Sequence, residues 1–455
     1  MQLTLALVAA ALSLFGGALA APALEPRATT KYVFAHHIVG NTAPYTQSTW
    51  AADIALAQAN GIDGFALNVG SDSWEIAQVA SAYAAAAAAG TGFKLFLSLD
   101  MSANPCAALS DGAPLRAWVN SYYNHPNQFI YNSKVYLSTF AGETCTFGQG
   151  SVVAGWKNAV ISQLTGSQSV YFVPFFSVDP ATFSSYSGVI NGAMNWNAGW
   201  PISLNAGNYA SLAGTVSNID GSTTDSQYLS GLSSIGGSYL ATVSPWFYTH
   251  YSPSTYNKNW IYYADNWMYA ARWEKLVAER NSIDVVEVVS WNDYGESHYI
   301  GPVEGALPLN AGDWVNNFPH TAWLSLTNYY AQAFKSGSYA TPTQDKIILW
   351  VRPHPAGATA TSDSVGKPTN YQMDSDTVWV VVLATSSATV TLTTGTTQTT
   401  TVPAGLTKLS IPITAGNGVK ATMSRGTTTA VTVQPSFTFN GSPTLYNYNV
   451  LVASN

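Results

Sequence analysis

Between residues 32 and 335 one pattern recurs eight times: a short apolar run bounded by turn residues, usually followed by a segment with helical spacing. The strands expected from it are Tyr32–Val39, Asp63–Val69, Phe93–Asp100, Lys134–Phe140, Val170–Val178, Gly188–Asn195, Tyr239–Tyr248 and Ile283–Trp291. The helices expected between them are Ser48–Ala59, capped by Ser48 with Gly61 just past its end, then Trp74–Ala89, Leu115–Tyr123, Val152–Leu164, Gln227–Ile235, Trp267–Glu279 and Thr321–Lys335. Such an alternation predicts an α/β fold, a (β/α)8 TIM barrel over residues 30–340. A doubly wound sheet is disfavoured, because no glycine-rich phosphate turn opens the first helix. No fixed repeat period is present.

The pattern changes after residue 340. From Asp345 the chain is rich in Thr, Val and Ser, with strand-like segments such as Thr377–Ala384 and Ala388–Thr394. Turns such as Ala415-Gly416-Asn417-Gly418 and Asn440-Gly441 separate them. A C-terminal β-sandwich over residues 345–455 is expected. With no Pro/Ser linker between them, the two parts should pack directly on each other.

The N-terminus reads as a secretory signal peptide. Met1–Ala20 is an apolar run ending in Ala18-Leu19-Ala20, a small-residue cleavage pattern, and the spacer after it could be removed as a pro-segment up to Arg27. Gly16-Gly17 interrupt the run too early for a membrane anchor. A secreted, extracellular or wall-associated protein is expected, without a membrane partner. In that compartment the two cysteines, Cys106 and Cys145, are most simply a disulfide. Asn440-Gly441-Ser442 is a glycosylation sequon on Asn440.

Charge narrows the ligand. Only 9% of residues are charged and the net charge is −7, with no basic run. Nucleic acid is therefore not expected as a partner. So few charges with so many polar and aromatic side chains suit a neutral ligand, and carbohydrate is the obvious one. The protein is expected to act as a monomer.

Barrel enzymes carry their chemistry at the C-terminal ends of the strands. The acids there are Asp100 after strand three, Glu143 after strand four, Asp179 after strand five, and Asp293 with Glu296 after strand eight. Each could instead cap the following turn. The Asp293/Glu296 pair ranks first because it lies in Trp291-Asn292-Asp293-Tyr294-Gly295-Glu296-Ser297-His298. A glycosidase needs one carboxylic acid and one carboxylate, and residues three apart can reach either the retaining or the inverting separation. Sugar-facing aromatic candidates at strand ends include Trp196, Trp246, Tyr248, Trp291 and Tyr294, with Trp246 and Trp291 ranked highest. His298 is a further binding candidate. Of His36 and His37, adjacent on a strand, only one can enter the site, so His36 contacting a sugar hydroxyl is expected rather than a two-histidine metal site. No metal and no cofactor is expected. The sequence has no G-x-S-x-G elbow, P-loop or H-E-x-x-H.

Seven segments, in order, are similar to one known family. They are Phe34–Gly70 (FAHHIVGNTAPYTQSTWAADIALAQANGIDGFALNVG), Phe93–Met101 (FKLFLSLDM), Tyr171–Pro180 (YFVPFFSVDP), Asn195–Pro201 (NWNAGWP), Ser244–Tyr251 (SPWFYTHY), Trp291–Pro302 (WNDYGESHYIGP) and Trp350–Pro355 (WVRPHP). They resemble glycoside hydrolase family 71, the fungal α-1,3-glucanases or mutanases. The resemblance implies a barrel with a β-sandwich packed on it. It also implies endo-acting hydrolysis of α-1,3-glucosidic bonds in wall glucan with inversion, and Asp293 and Glu296 as the catalytic acids. Glu296 is taken as general acid and Asp293 as the base, an order that could be reversed. Asp100 and Asp179 fall in matching segments as substrate-binding or pKa-tuning groups. The alternatives are a glycosidase of other specificity on the same barrel and a non-catalytic carbohydrate-binding wall protein.

Overall fold

The computed structural model describes residues 30–211 and 224–455. The signal peptide expected at Met1–Ala20 and the pro-segment expected up to Arg27 lie outside the described residues. Among the described residues one sheet holds eight parallel strands, β1 (Tyr32–Ile38), β2 (Gly64–Val69), β3 (Lys94–Asp100), β4 (Lys134–Phe140), β5 (Val170–Phe175), β6 (Gly192–Asn195), β7 (Ser238–Val243) and β8 (Val285–Val288), with the two-residue strand Ile130–Tyr131 antiparallel to β4. Their hydrogen-bonded order is 5-4-3-2-1-8-7-6. The two ends also meet: Asn191, just before β6, donates its backbone N–H to Phe172 O at 2.7 Å. In return its Oδ1 accepts from Phe172 N at 3.0 Å.

The sheet is curled. Phe34, Ala66, Phe96, Tyr136, Val173, Met194, Leu240 and Val285, one from each strand, belong to a single buried cluster. Two residues further along the same faces the side chains turn polar: His36, Asn68, Ser98, Ser138, Thr242 and Glu287 are all buried. Residues of opposite parity, such as Val33, Phe65, Leu67 and Leu95, pack outward into a separate cluster with the helices. Burial on both faces explains why the strands read as continuous apolar runs.

Among the described residues, the α-helices of eight residues or more are α1 (Gln47–Ala59), α2 (Glu75–Ala89), α3 (Gly112–Tyr122), α4 (Val152–Ala159), α5 (Asp225–Ser233), α6 (Met268–Ala278) and α7 (Trp323–Ser336). Thr46, not Ser48, caps α1. Its hydroxyl accepts from Thr49 N at 3.3 Å, and the Thr49 side chain returns the bond. In α2 the buried positions Val79, Ala82, Tyr83 and Ala86 follow one helical stripe, and alanine there lets the helix lie close on its neighbours. The expected helix Val152–Leu164 stops at Ala159 and continues as a 3-10 turn. The expected strand Tyr239–Tyr248 stops at Val243, before Pro245, which has no N–H for a ladder. The chain then re-forms a hairpin from Tyr248–His250 and Asn259–Ile261.

The Cys106–Cys145 disulfide is present, with a Cα–Cα distance of 5.2 Å. It ties the loop after β3 to the loop after β4.

The C-terminal strands are β9 (Lys346–Val351), β10 (Thr377–Ala384), β11 (Ala388–Thr393), β12 (Thr397–Val402), β13 (Gly405–Pro412), β14 (Lys420–Arg425), β15 (Thr428–Val433) and β16 (Leu451–Ser454). They make two antiparallel sheets, ordered 13-10-9-16 and 12-11-14-15. Ile347, Leu349, Val351, Val378, Val380 and Val382 face the second sheet in one core. The alternate residues Ile348, Trp350, Trp379 and Val381 join the large core of the N-terminal part. Trp323 of α7 meets Trp350 at 6.0 Å, and Trp267 meets Trp379 at 4.8 Å. The first sheet is thus buried on both faces, which explains the unbroken apolar run of β10. The second sheet has one solvated face, and β11 alternates accordingly. Asn440 is exposed.

Candidate active site

The chain after β8 is pinned to the end of β1. Trp291 N donates to His36 O at 2.7 Å. Asn292 Oδ1 accepts from Ile38 N at 2.7 Å and its Nδ2 donates to Ile38 O at 3.0 Å. Trp291 is fully buried against Phe65, and the buried Tyr294 hydroxyl donates to Pro302 O at 2.9 Å. These residues build the turn, and Asp293, Glu296 and His298 are what it presents. Gly295 is needed because the Tyr251 hydroxyl lies 2.5 Å from where a Cβ would stand.

His298 is the centre of the arrangement. Its Nε2 is 3.1 Å from Asp293 Oδ2 and 3.3 Å from Glu296 Oε2; His298 is completely buried, while the two acid side chains are 15% and 22% exposed. Its Nδ1 meets Ser290 Oγ at 3.1 Å, and that oxygen also accepts from Asp293 N at 2.7 Å. Asp293 Oδ1 accepts from Glu296 N at 3.1 Å. Lys258 Nζ lies 3.3 Å from Glu296 Oε1.

The electrostatics follow from this contact. Burial alone would lower the pKa of His298, but the charge of Asp293 and hydrogen bonds to both carboxylates outweigh it and raise the value to about 9. Burial would raise Asp293, but the His298 cation, the Glu296 N–H and Lys258 bring its pKa below the ordinary carboxylate value. At neutral pH the buried imidazole is therefore a cation holding Asp293 ionised. Asp293, Glu296 and His298 are also the one group among the described residues with metal-ligand spacing, one donor atom from each lying within 4.8 Å of the others. The separations of 3.1 and 3.3 Å between His298 and the acids are hydrogen-bond lengths.

The remaining candidates divide. Trp196 is half-buried with its ring 4.9 Å from His36 and 6.1 Å from His298, so it joins the site. His36 points inward beneath it and bonds Glu287 Oε1 at 2.7 Å, while His37 points outward to Asp53 at 3.2 Å. Asp100, at the end of β3, accepts from Ser102 N and Oγ at 2.9 and 2.5 Å. Glu143 accepts from Ser177 N at 3.4 Å, linking two strand-end loops. Asp179 is exposed and caps the 3-10 turn that follows it, accepting from Ala181 N at 3.0 Å.

Four aromatic expectations need correction. Trp246 is buried toward the C-terminal part, donating to Tyr448 O at 2.9 Å under the Arg352 guanidinium. Tyr248 is buried with its hydroxyl on Tyr446 O at 2.9 Å. Trp291 and Tyr294 are enclosed as described above. None of these four rings presents a face to a sugar. Instead Phe247 lies over His298, rings 24° apart and 6.0 Å between centres, with Trp200 at 5.4 Å from the same imidazole. Phe247, Lys258 and the buried Glu287 were not singled out from the sequence. For Phe247 a signal existed, since residues 246 and 248 of an extended chain share one side and 247 takes the other.

Two carboxylates on a strand-end turn are the kind of acid pair that a glycoside hydrolase uses. The chain belongs to glycosyl hydrolase family 71, whose model matches residues 29–455. It is 40% identical over 423 residues to the glucan endo-1,3-alpha-glucosidase agn1 of Schizosaccharomyces pombe, covering 92% of this chain and 93% of that one. A mutanase of Penicillium rubens is 33% identical over 96% of this chain and 92% of its own. The ascus wall endo-1,3-alpha-glucanase of Schizosaccharomyces pombe is 33% identical over 79% of this chain and 80% of its own.

Proposed function

We propose that this chain is a secreted, endo-acting hydrolase of the α-1,3-glucan of fungal walls, working as a monomer, with Asp293 as general base and Glu296 as general acid. The observation that carries the assignment is the shared contact of both carboxylates with one buried imidazole, in a family whose named relatives are α-1,3-glucanases. The imidazolium keeps Asp293 ionised, as a base for water requires. Glu296 is the more exposed acid and reaches the mouth, where a leaving oxygen would be protonated. The eight parallel strands are read as a (β/α)8 barrel, closed by the Phe172–Asn191 bonds, with the C-terminal sheets packed on it as a β-sandwich domain. Trp196, the half-buried ring of the group, supplies an apolar face for a glucosyl ring. Asp100 and Glu143 contact substrate hydroxyls at the strand ends, and Asn440 carries a glycan.

Hydrolysis with inversion needs a water between base and sugar, and carboxyl groups about 6.5–9.5 Å apart. In the structure facing oxygens of Asp293 and Glu296 lie within 4.8 Å. Asp293 is pinned through Glu296 N and His298, whereas the longer Glu296 side chain is anchored only at 3.3 Å on each oxygen. Substrate binding therefore swings Glu296 away from His298. Proton NMR of an α-1,3-linked glucan oligosaccharide during hydrolysis should show the β-anomer forming first. First appearance of the α-anomer would mean retention, with the acids working at their observed spacing and Asp293 attacking the sugar.

A further inference from the structure

The hairpin from Tyr248 to Ile261 leans on the catalytic turn at three points. Tyr248 N donates to Glu296 O at 3.0 Å. The Tyr251 hydroxyl packs on Gly295, and Lys258 Nζ reaches Glu296 Oε1 at 3.3 Å. Each strand of the hairpin has only three residues, too few to be stable alone. Its support comes from the far C-terminal part of the chain. Asp363 Oδ2 bonds His250 Nε2 at 2.9 Å, the side chains being 1% and 7% exposed. His250 Nδ1 in turn meets Asn259 Oδ1 at 2.9 Å across the hairpin. Thr369 N donates to Asn259 O at 2.9 Å, and Ile261 N to Thr369 O at 3.1 Å, so this segment pairs along the hairpin edge. Asp363 is itself fixed by the N–H groups of Val365, Gly366 and Tyr446.

We propose that Asp363 is a positioning residue for the catalytic carboxylates: through His250 and Asn259 it holds the hairpin that sets Lys258 against Glu296. The C-terminal part is then a component of the active site and not only a buttress. The inference rests on Glu296 being one of the two catalytic acids. Glu296 is faced by Lys258 and Tyr251 of the hairpin, by Tyr262 just beyond it, and by Asp293 and His298 of its own turn. Lys258 is the cation among them that the hairpin supplies. A cation at that distance stabilises the negative charge of a carboxylate, so the contact should register in the pH dependence of the reaction.

The test is the pH profile of kcat/KM of the full chain. In Lys258→Met the limb governed by Glu296 should move up by about half a pH unit, the size expected for a screened, partly exposed pair. Lys258→Arg should restore the wild-type profile, and high ionic strength should shrink the difference. Asp363→Asn and His250→Gln should shift the same limb in the same direction, and adding Lys258→Met to either should shift it no further. An alkaline limb that moves supports Glu296 as acid, and an acid limb that moves supports it as base. The positioning is supported in both cases. An unshifted Asp363→Asn beside a shifted Lys258→Met overturns the role of Asp363. An unshifted Lys258→Met overturns the whole inference, and this variant alters an exposed side chain, so folding does not obscure it. A Glu296→Gln variant with full activity would instead remove the functional reading on which the inference stands.

Discussion

Glu296→Gln should lower kcat on α-1,3-glucan about 10³-fold with little change in KM, and Asp293→Asn should do the same. Both replacements keep the shape of the side chain and the ability to accept a hydrogen bond from His298. What they remove is the exchangeable proton at one position and the negative charge at the other. Glu296→Gln leaves Asp293 paired with the imidazolium, so the fold and the packing around His298 stay in place. Asp293→Asn also removes the charge that most raises the His298 pKa, which should fall back from about 9. Steady-state kinetics on soluble oligosaccharide, with circular dichroism to confirm folding, makes the comparison. Full activity of either variant would exclude that residue, and full activity of both would exclude the turn after β8 as the catalytic centre.

The second large effect is on stability. Arg272→Ala should cost about 3–5 kcal/mol, measured by denaturant unfolding. Arg272 on α6 and Asp225 at the start of α5 form an ion pair whose side chains are 0% and 2% exposed. The guanidinium also donates from Nε to Thr242 O of β7 at 2.8 Å, and Asp225 accepts from the Tyr239 hydroxyl. The pair therefore joins two helices to one strand at a position closed to water. Truncating Arg272 alone leaves a buried carboxylate without its main counter-charge. Adding Asp225→Asn to the same chain should recover part of the loss, because the uncompensated charge is then gone. A loss below 1 kcal/mol in Arg272→Ala would show that the pair is not dry.

All eight parallel strands were legible in the sequence because each is covered on both faces and so reads as an apolar run. Their ends were less so: β7 stops before Pro245, and Gly188 belongs to a turn with positive φ rather than to β6. The candidate turn after β8 was legible because its acids, histidine and glycine are contiguous. Of the two adjacent histidines, alternation assigns one to the interior, and His36 is the one found there. Beyond the strand ends the aromatics were harder to place: Trp246 and Tyr248, chosen for lying at a strand end, are buried on the side facing the C-terminal part. Phe247, between them, is equally buried but packs on His298. Lys258 carried no local signal at all. Its contact with Glu296 depends on a hairpin shaped by residues more than a hundred positions later, and spacing cannot report such a link.

The most direct measurement is reducing-sugar release from insoluble α-1,3-glucan, with β-1,3-glucan and starch in parallel. The site and the family predict release from α-1,3-glucan alone. Release from β-1,3-glucan or starch but not from α-1,3-glucan would contradict the assigned linkage, and release from none of the three would contradict catalysis by this chain.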